Sequence, residues 1–234
     1  MFVSLLTYTP EAERVVATAA RLCYADVDCH ALAERSNPDD DRRMIEKVLA
    51  IGHHGVLEHA VFSFVTEGVS RALTHQLVRH RLASFAQQSQ RYVAFDGGFD
   101  YETPKSIAAQ PELAARYAEE MKRIAALYAD MREAGIAAED ARFILPNASH
   151  SRLIMTMNAR ELRHFFHLRC CNRAQWEIRD LATVMLIEAS KVAPVLFKDA
   201  GPGCLAGACP EGEMSCGKAL EVRRKFSVLL HSPT

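Results

Sequence analysis

The run Ala60-Val61-Phe62-Ser63-Phe64-Val65-Thr66 limits the fold more than any other. Aromatic and β-branched side chains suit a pleated, half-buried surface and lose rotamer freedom in a helix, so the run reads as a strand. Residues 2–8 alternate loosely and read as an opening strand, residues 151–157 as another, and Gln90 to Phe95 as extended. Helices are signalled between them. Thr9-Pro10-Glu11 has the form of an N-cap, an N1 proline and an acidic first turn, predicting a helix to about Leu22. Asn37-Pro38-Asp39-Asp40-Asp41 repeats that grammar, with Ile45, Val48 and Leu49 inward and Gly52 as the stop. Ser70 caps a helix to about Arg81, with Leu73, Leu77 and Val78 on its apolar side. Pro111 opens the longest helical pattern, ending at Gly135, whose apolar positions from Leu113 to Met131 predict a core-packed helix. Further helices are expected from Ala138 to before Pro146, from Asn158 to about Leu168, and from Ala174 to Val192, where Pro194 breaks the pattern.

These elements interleave without the regular spacing of a doubly wound sheet, and no glycine-rich dinucleotide loop, internal repeat or low-complexity linker interrupts them. One α+β domain is the economical reading, and 234 residues suffice for one substantial core. With 49% apolar and 24% charged residues the composition is that of an ordinary globular chain and excludes disorder. No apolar run approaches the roughly 18–20 residues that cross a bilayer, and the N-terminus lacks a basic leader region, so a cytoplasmic location is expected. Lysine and arginine total 28 against 29 acids, so any affinity for anions must come from local concentration of arginine. The odd count of seven cysteines points to reduced thiols and not to a disulfide framework.

Arginine is concentrated in Arg79-His80-Arg81-Leu82-Ala83-Ser84-Phe85-Ala86-Gln87-Gln88-Ser89-Gln90-Arg91-Tyr92, which contains no acid. A surface helix normally intersperses acids to offset such repulsion, so an external anion is the natural counter-charge. Guanidinium forks suit phosphate oxygens, and the serine hydroxyls and glutamine amides add neutral donors and acceptors of the kind that read base edges or flavin heteroatoms. The competing reading is a solvated basic turn.

Arg79-His80-Arg81, Ser84, Ser89 and Arg91 match the R-H-R-x-x-S-x-x-x-x-S-x-R motif of flavin-dependent thymidylate synthases. The likeness extends upstream to Gly52-His53-His54-Gly55-Val56-Leu57-Glu58-His59. Downstream it takes in Leu145-Pro146-Asn147, Arg152, Asn158-Ala159-Arg160, Leu168-Arg169 and Ala174-Gln175-Trp176-Glu177-Ile178-Arg179. Residues 1–200 resemble this family, and residues 201–234 form a Gly/Pro/Cys-containing C-terminal tail packed on or extending from that domain. The resemblance implies an α+β domain with a mixed, mainly antiparallel sheet packed by helices. It implies conversion of dUMP to dTMP with methylenetetrahydrofolate as carbon donor, NADPH as reductant and FAD as hydride relay. It also implies a homotetramer with active sites between subunits.

On the same resemblance, Gln76, Leu77, Val78, Arg79, Gln87, Gln88, Ser89, Gln90, Arg91, Arg152 and Arg179 would hold dUMP. Arg179 beside the uracil edge would stabilise negative charge as N3–H ionises, and Ser89 would orient the substrate. His53, Gly55, Glu58, Arg79, His80, Arg81, Gln87, Arg169, Asn172 and Arg173 would hold FAD. Gly55 stands where the family often has Ser or Thr, and Gln87 where some members carry Glu. Arg163 reads as solvated or inter-subunit, and His164 as structural.

A thiolate route would need Cys170 or Cys171, but the matching motif contains no cysteine, and Ser89 lacks a neighbouring base in the sequence. His53, His54, Glu58 and His59 lack the H-E-x-x-H spacing, so no metal is assigned there. Cys204, Cys209 and Cys216 sit among glycines and prolines. They could bind zinc with a fourth ligand from elsewhere, cross-link on oxidation, or be incidental thiols of an ordered tail, which is the favoured reading. A competing function is a nucleic-acid-binding module presenting Arg71, His75 and Arg79 from one helix face, though the net charge of -1 opposes it. A nucleotide-binding protein that has lost catalysis is a third reading.

Overall fold

In the computed structural model, which describes residues 1–34 and 37–231, the chain is α+β. Its elements are β1 (Phe2–Tyr8), α1 (Ala12–Leu22), α2 (Cys29–Glu34), α3 (Pro38–Ala50), β2 (Val61–Ser70), α4 (Arg71–Leu77) and β3 (Ala83–Gln87). There follow α5 (Lys105–Ala108), α6 (Pro111–Glu133), α7 (Ala138–Ala141), β4 (His150–Asn158), α8 (Ala159–Arg169), α9 (Trp176–Val192), α10 (Pro194–Phe197) and α11 (Ala219–His231). The four strands form one antiparallel sheet in the order β1-β2-β4-β3.

Two compact units can be distinguished. One contains Met1–Phe2, Thr66–Arg79 and Phe85–Ile154, and the other contains Val3–Val65, His80–Ser84 and the chain from Met155 onward. Strand β2 passes from the second into the first after Val65, and β4 returns after Ile154, so both are parts of one α+β domain.

In the unit that begins at Val3, alternate residues of the strands point inward. Phe62, Phe64, Met155 and Met157 are fully buried with Phe165 and Phe166 of α8, Leu181 and Met185 of α9, and Phe197 of α10. Phe197 meets Phe62 edge-on at 5.3 Å and Phe166 at 5.9 Å, an arrangement that suits the ring quadrupoles. In the other unit, Tyr128 of α6 is fully buried, and its hydroxyl accepts the Phe95 N–H at 3.3 Å.

Local capping chemistry sets most helix starts. Asn37 accepts from the Asp39 N–H, Ser70 from the Leu73 N–H and Asn158 from the Glu161 N–H, as the sequence predicts. Gly52 ends α3 at φ 75°, where a side chain would be strained.

Several expectations need correction. Thr9 does not cap α1. Its hydroxyl accepts the Val61 N–H at 2.9 Å instead, and α1 starts after Glu11, which adopts φ 49°. Helix α4 stops at Leu77, not Arg81. Gln90 to Phe95 is not extended, because the Val93 N–H turns back to the Ser89 carbonyl. The strand of this region is β3, inside the basic passage. Helix α6 is only partly a core helix, since Met121 and Tyr128 are buried but Leu113 and Leu127 are exposed. Arg163 is neither solvated nor free: its guanidinium donates to the Leu196 carbonyl at 2.7 Å and pairs with Asp199 at 2.8 Å. The tail contains the helix α11, with Val222 and Phe226 buried.

Candidate functional site

The basic passage runs from just after α4 through β3 and the turn that follows, and each segment is fixed differently. Within the unit that holds residues 85–154, β3 is locked to β4. The Gln88 N–H donates to the Arg152 carbonyl at 2.9 Å. Gln87 Nε2 donates to Ser151 Oγ at 2.9 Å, and Gln90 Nε2 to Ser149 Oγ at 3.4 Å. Ser149, just before β4, and Ser151, within it, carry buried hydroxyls, and they hold two of the glutamines expected at the nucleotide. Ser89 Oγ accepts the Arg91 N–H at 3.1 Å, and no carboxylate or histidine among the described residues bonds to it. That arrangement offers a positioning hydroxyl and no activated nucleophile.

The arginines divide by their partners. Arg91 pairs with Glu139 of α7 at 2.5 Å and Arg152 stands 3.8 Å from Glu67, both as exposed pairs. Arg79 and Arg81 are exposed, and neither guanidinium has an ion-pair partner among the described residues. Gln76 stands on α4 with its Nε2 donating to the Ala72 carbonyl at 3.3 Å, Leu77 is buried, and Val78 is exposed. Because α4 ends before Arg79, that residue does not share a helix face with Arg71 and His75, which removes the basis of the nucleic-acid reading.

In the other unit the expected cofactor residues form a more buried network. His80 is 5% exposed. Its Nδ1 lies 3.0 Å from Glu161 Oε1, and its Nε2 accepts from Arg169 Nε at 3.0 Å. Burial lowers the proton affinity of the imidazole, the Glu161 contact works against that, and the charge of Arg169 adds to it. The ring also packs edge-on against Phe165 at 4.9 Å.

Glu58 lies in the tight turn His54–His59, anchored by buried Val56 and Leu57, and pairs with Arg160 at 2.6 Å. His53 Nδ1 lies 3.2 Å from the Tyr24 hydroxyl. A Cβ on Gly55 would meet nothing within 4 Å, so packing does not demand glycine and the backbone there is open to approach. Arg179 sits in the first turn of α9, whose cap is Gln175, and its Nη1 donates to the Asn172 carbonyl at 3.1 Å. Arg173 is exposed with no acid beside it among the described residues. Cys170 is buried, and burial pushes its thiol up to about 12, so it is a protonated core residue at neutral pH.

Sequence reasoning missed Glu161, Ser149, Ser151 and Glu139. Glu161 had a signal: it lies three residues after the cap Asn158, in the spacing of a capping box. Its carboxylate goes to His80 instead.

A family model described as thymidylate synthase complementing protein matches residues 4–195. A flavin-dependent thymidylate synthase of Geobacter sulfurreducens is 54% identical over 227 residues, covering 97% of this chain and 98% of that protein. The chain belongs to the flavin-dependent thymidylate synthases. Other members of that name include one from Clostridium tetani, 46% identical over 96% of each chain. One from Pyrococcus abyssi is 42% identical over 99% of this chain and 98% of its own. No described helix is long and apolar enough to cross a membrane. For a family named for its flavin, the residues fit the group. Arginines without carboxylate partners suit a pyrophosphate, and no glycine-rich loop competes for that role.

Proposed function

We propose that this enzyme reductively methylates dUMP to dTMP, with methylenetetrahydrofolate as carbon donor and NADPH as reductant, in the cytoplasm, for dTTP synthesis. FAD, when bound, supplies hydride transfer. The observation that carries the reading is the pairing pattern of the arginines: Arg79, Arg81 and Arg173 have no carboxylate among the described residues, within a chain matched to the family over residues 4–195.

Arg79, Arg91 and Arg152 bind the nucleotide phosphate, with Gln76, Leu77, Val78, Gln87, Gln88, Ser89 and Gln90 around the nucleoside. Arg91 and Arg152 exchange surface acids for phosphate, a small cost because exposed pairs contribute about 0–1 kcal/mol. Ser89 orients the substrate. Arg179 stabilises the negative charge that develops on the pyrimidine as C6 is reduced, and its bond to the Asn172 carbonyl fixes its direction. His53, Gly55, Glu58, Arg79, His80, Arg81, Gln87, Arg169, Asn172 and Arg173 hold FAD. No cysteine attacks C6, in keeping with the buried thiol of Cys170. The working form is a homotetramer with active sites shared between subunits. Leu82 and Tyr92, apolar yet 72% and 78% exposed within the basic passage, support burial against a neighbour.

The test is the visible spectrum of freshly purified protein, followed by anaerobic NADPH with and without dUMP, and then assay for dTMP with methylenetetrahydrofolate. A flavin spectrum that bleaches and a dTMP product are expected. Protein that stays colourless with added FAD and forms no dTMP overturns the reading.

A further inference from the structure

Cys204, Cys209 and Cys216 are, on sequence alone, one ligand short of a closed tetrahedral thiolate site. The fold brings a fourth sulfur to them. Cys171, in the turn after α8, lines one cavity together with all three, and His167, one helical turn earlier, forms part of its wall. The cavity is tied to the turn by its own polar groups. Asn172 Nδ2 donates to Cys216 Sγ at 3.7 Å, and the Arg173 N–H donates to Cys171 Sγ at 3.5 Å.

The loop bearing three of the thiols is held in place from two sides. A Cβ on Gly203 would stand 2.5 Å from Cε1 of His167, so the loop backbone approaches α8 as closely as only glycine permits. From α11, Arg223 Nε donates to the Cys204 carbonyl at 2.8 Å, and its Nη2 donates to the Gly207 carbonyl. Four thiols on the wall of one cavity are a soft ligand set of the kind that selects a thiophilic divalent cation.

We propose that Cys171, Cys204, Cys209 and Cys216 bind one thiophilic divalent cation, zinc by ligand class, as a structural site that fastens the C-terminal segment to the turn after α8. Four sulfurs with no open position are the signature of structural and not catalytic zinc. The ligands are not preassembled: among the described residues no three His, Cys, Asp or Glu side chains are grouped so as to hold a metal ion, so loading requires the loop to close on Cys171. The loop has turns that can yield, with Gly212 and Gly217 both at positive φ. Each Zn–S bond forms as its thiol loses a proton to solvent, so loading releases about four protons and needs no oxidant. The site lies beside the backbone that directs Arg179, through Asn172.

The experiment uses the full chain from zinc-supplemented growth, purified under thiol reductant and dialysed against a weak chelator. Metal analysis is expected to give about one zinc per chain. Cobalt(II) exchange is expected to give sulfur-to-metal charge transfer and the d–d bands of a tetrahedral thiolate site. Cys209→Ser and Cys216→Ser should each lower bound metal about tenfold or more, while Cys23→Ser and Cys29→Ser, at exposed thiols, should retain it. Should the site variants fail to fold, the wild type still decides: a mercurial titration must release zinc to a chromophoric chelator in step with thiol capping. Wild-type protein with under about a tenth of an equivalent of metal and no cobalt spectrum overturns the proposal, whether all seven thiols titrate or two are lost to a disulfide.

Discussion

Arg169 directs its Nε–H to Nε2 of His80, 3.0 Å away. A guanidinium has no acceptor, so His80 Nε2 must carry the lone pair and Nδ1 the proton, which is donated to Glu161. The imidazole is thus held neutral between a cation and an anion, and protonating it would break the Arg169 bond.

The first prediction is an acid-side loss of stability. Burial lowers the His80 pKa below its ordinary 6.5, so below that pH the unfolded chain binds the proton more readily than the native one. The stabilisation is fully present above the unfolded value and is lost as pH falls toward the folded one. Urea unfolding at stepped pH should show this decline, and His80→Gln should flatten it. Coincident slopes in the two proteins would contradict the assignment. Glu161→Gln should cost about 1–3 kcal/mol at neutral pH.

Two of the arginines proposed to bind the nucleotide should differ because of what they hold beforehand. Arg79→Ala and Arg91→Ala should each weaken dUMP binding by about 1.5–3 kcal/mol per lost charged bond. Only Arg91 must first leave Glu139, so Glu139→Gln should tighten dUMP binding by up to about 1 kcal/mol. Titration calorimetry tests all three, and an unchanged Arg79→Ala would remove that residue from the cradle.

Arg179→Ala should lower kcat more than it raises KM, because charge on the pyrimidine grows during reaction. Steady-state kinetics at saturating cosubstrates separate the two. A pure KM effect would assign Arg179 to ground-state binding.

Cys170→Ser should leave turnover nearly intact, since the thiol is buried and protonated. The thiol at about 12 against an ordinary 9 also predicts an alkaline effect: its stabilisation is full below pH 9 and is lost as pH rises toward 12. Melting temperatures across that range should fall less steeply in Cys170→Ala. A variant that folds but is inactive would restore the thiolate route.

Where the sequence was legible, short-range chemistry explains it. Asn37, Ser70 and Asn158 each satisfy an N–H two or three residues ahead, so their helices were readable from spacing alone. The basic passage was readable too, because missing acids are visible in a string. Its partners were not. Ala83 to Gln87 lacks β-branched residues and is a strand because β4 offers it a ladder, a decision made some sixty residues away and invisible locally. Thr9 looked like a cap, but a distant donor on Val61 claimed its hydroxyl. Glu139 and Glu161 likewise reach Arg91 and His80 only through the fold.

The ties of His80 run 81 residues forward to Glu161 and 89 to Arg169. On the ribosome, the arginine-histidine-arginine stretch therefore emerges well before either partner exists. The buried His80 network must be assembled late in biogenesis, and long-range closure of this kind slows folding. On the proposed assignment of His80 and Arg169 to the flavin, cofactor capture is a post-translational event, and flavin supplied to a stalled nascent chain should find nothing to bind.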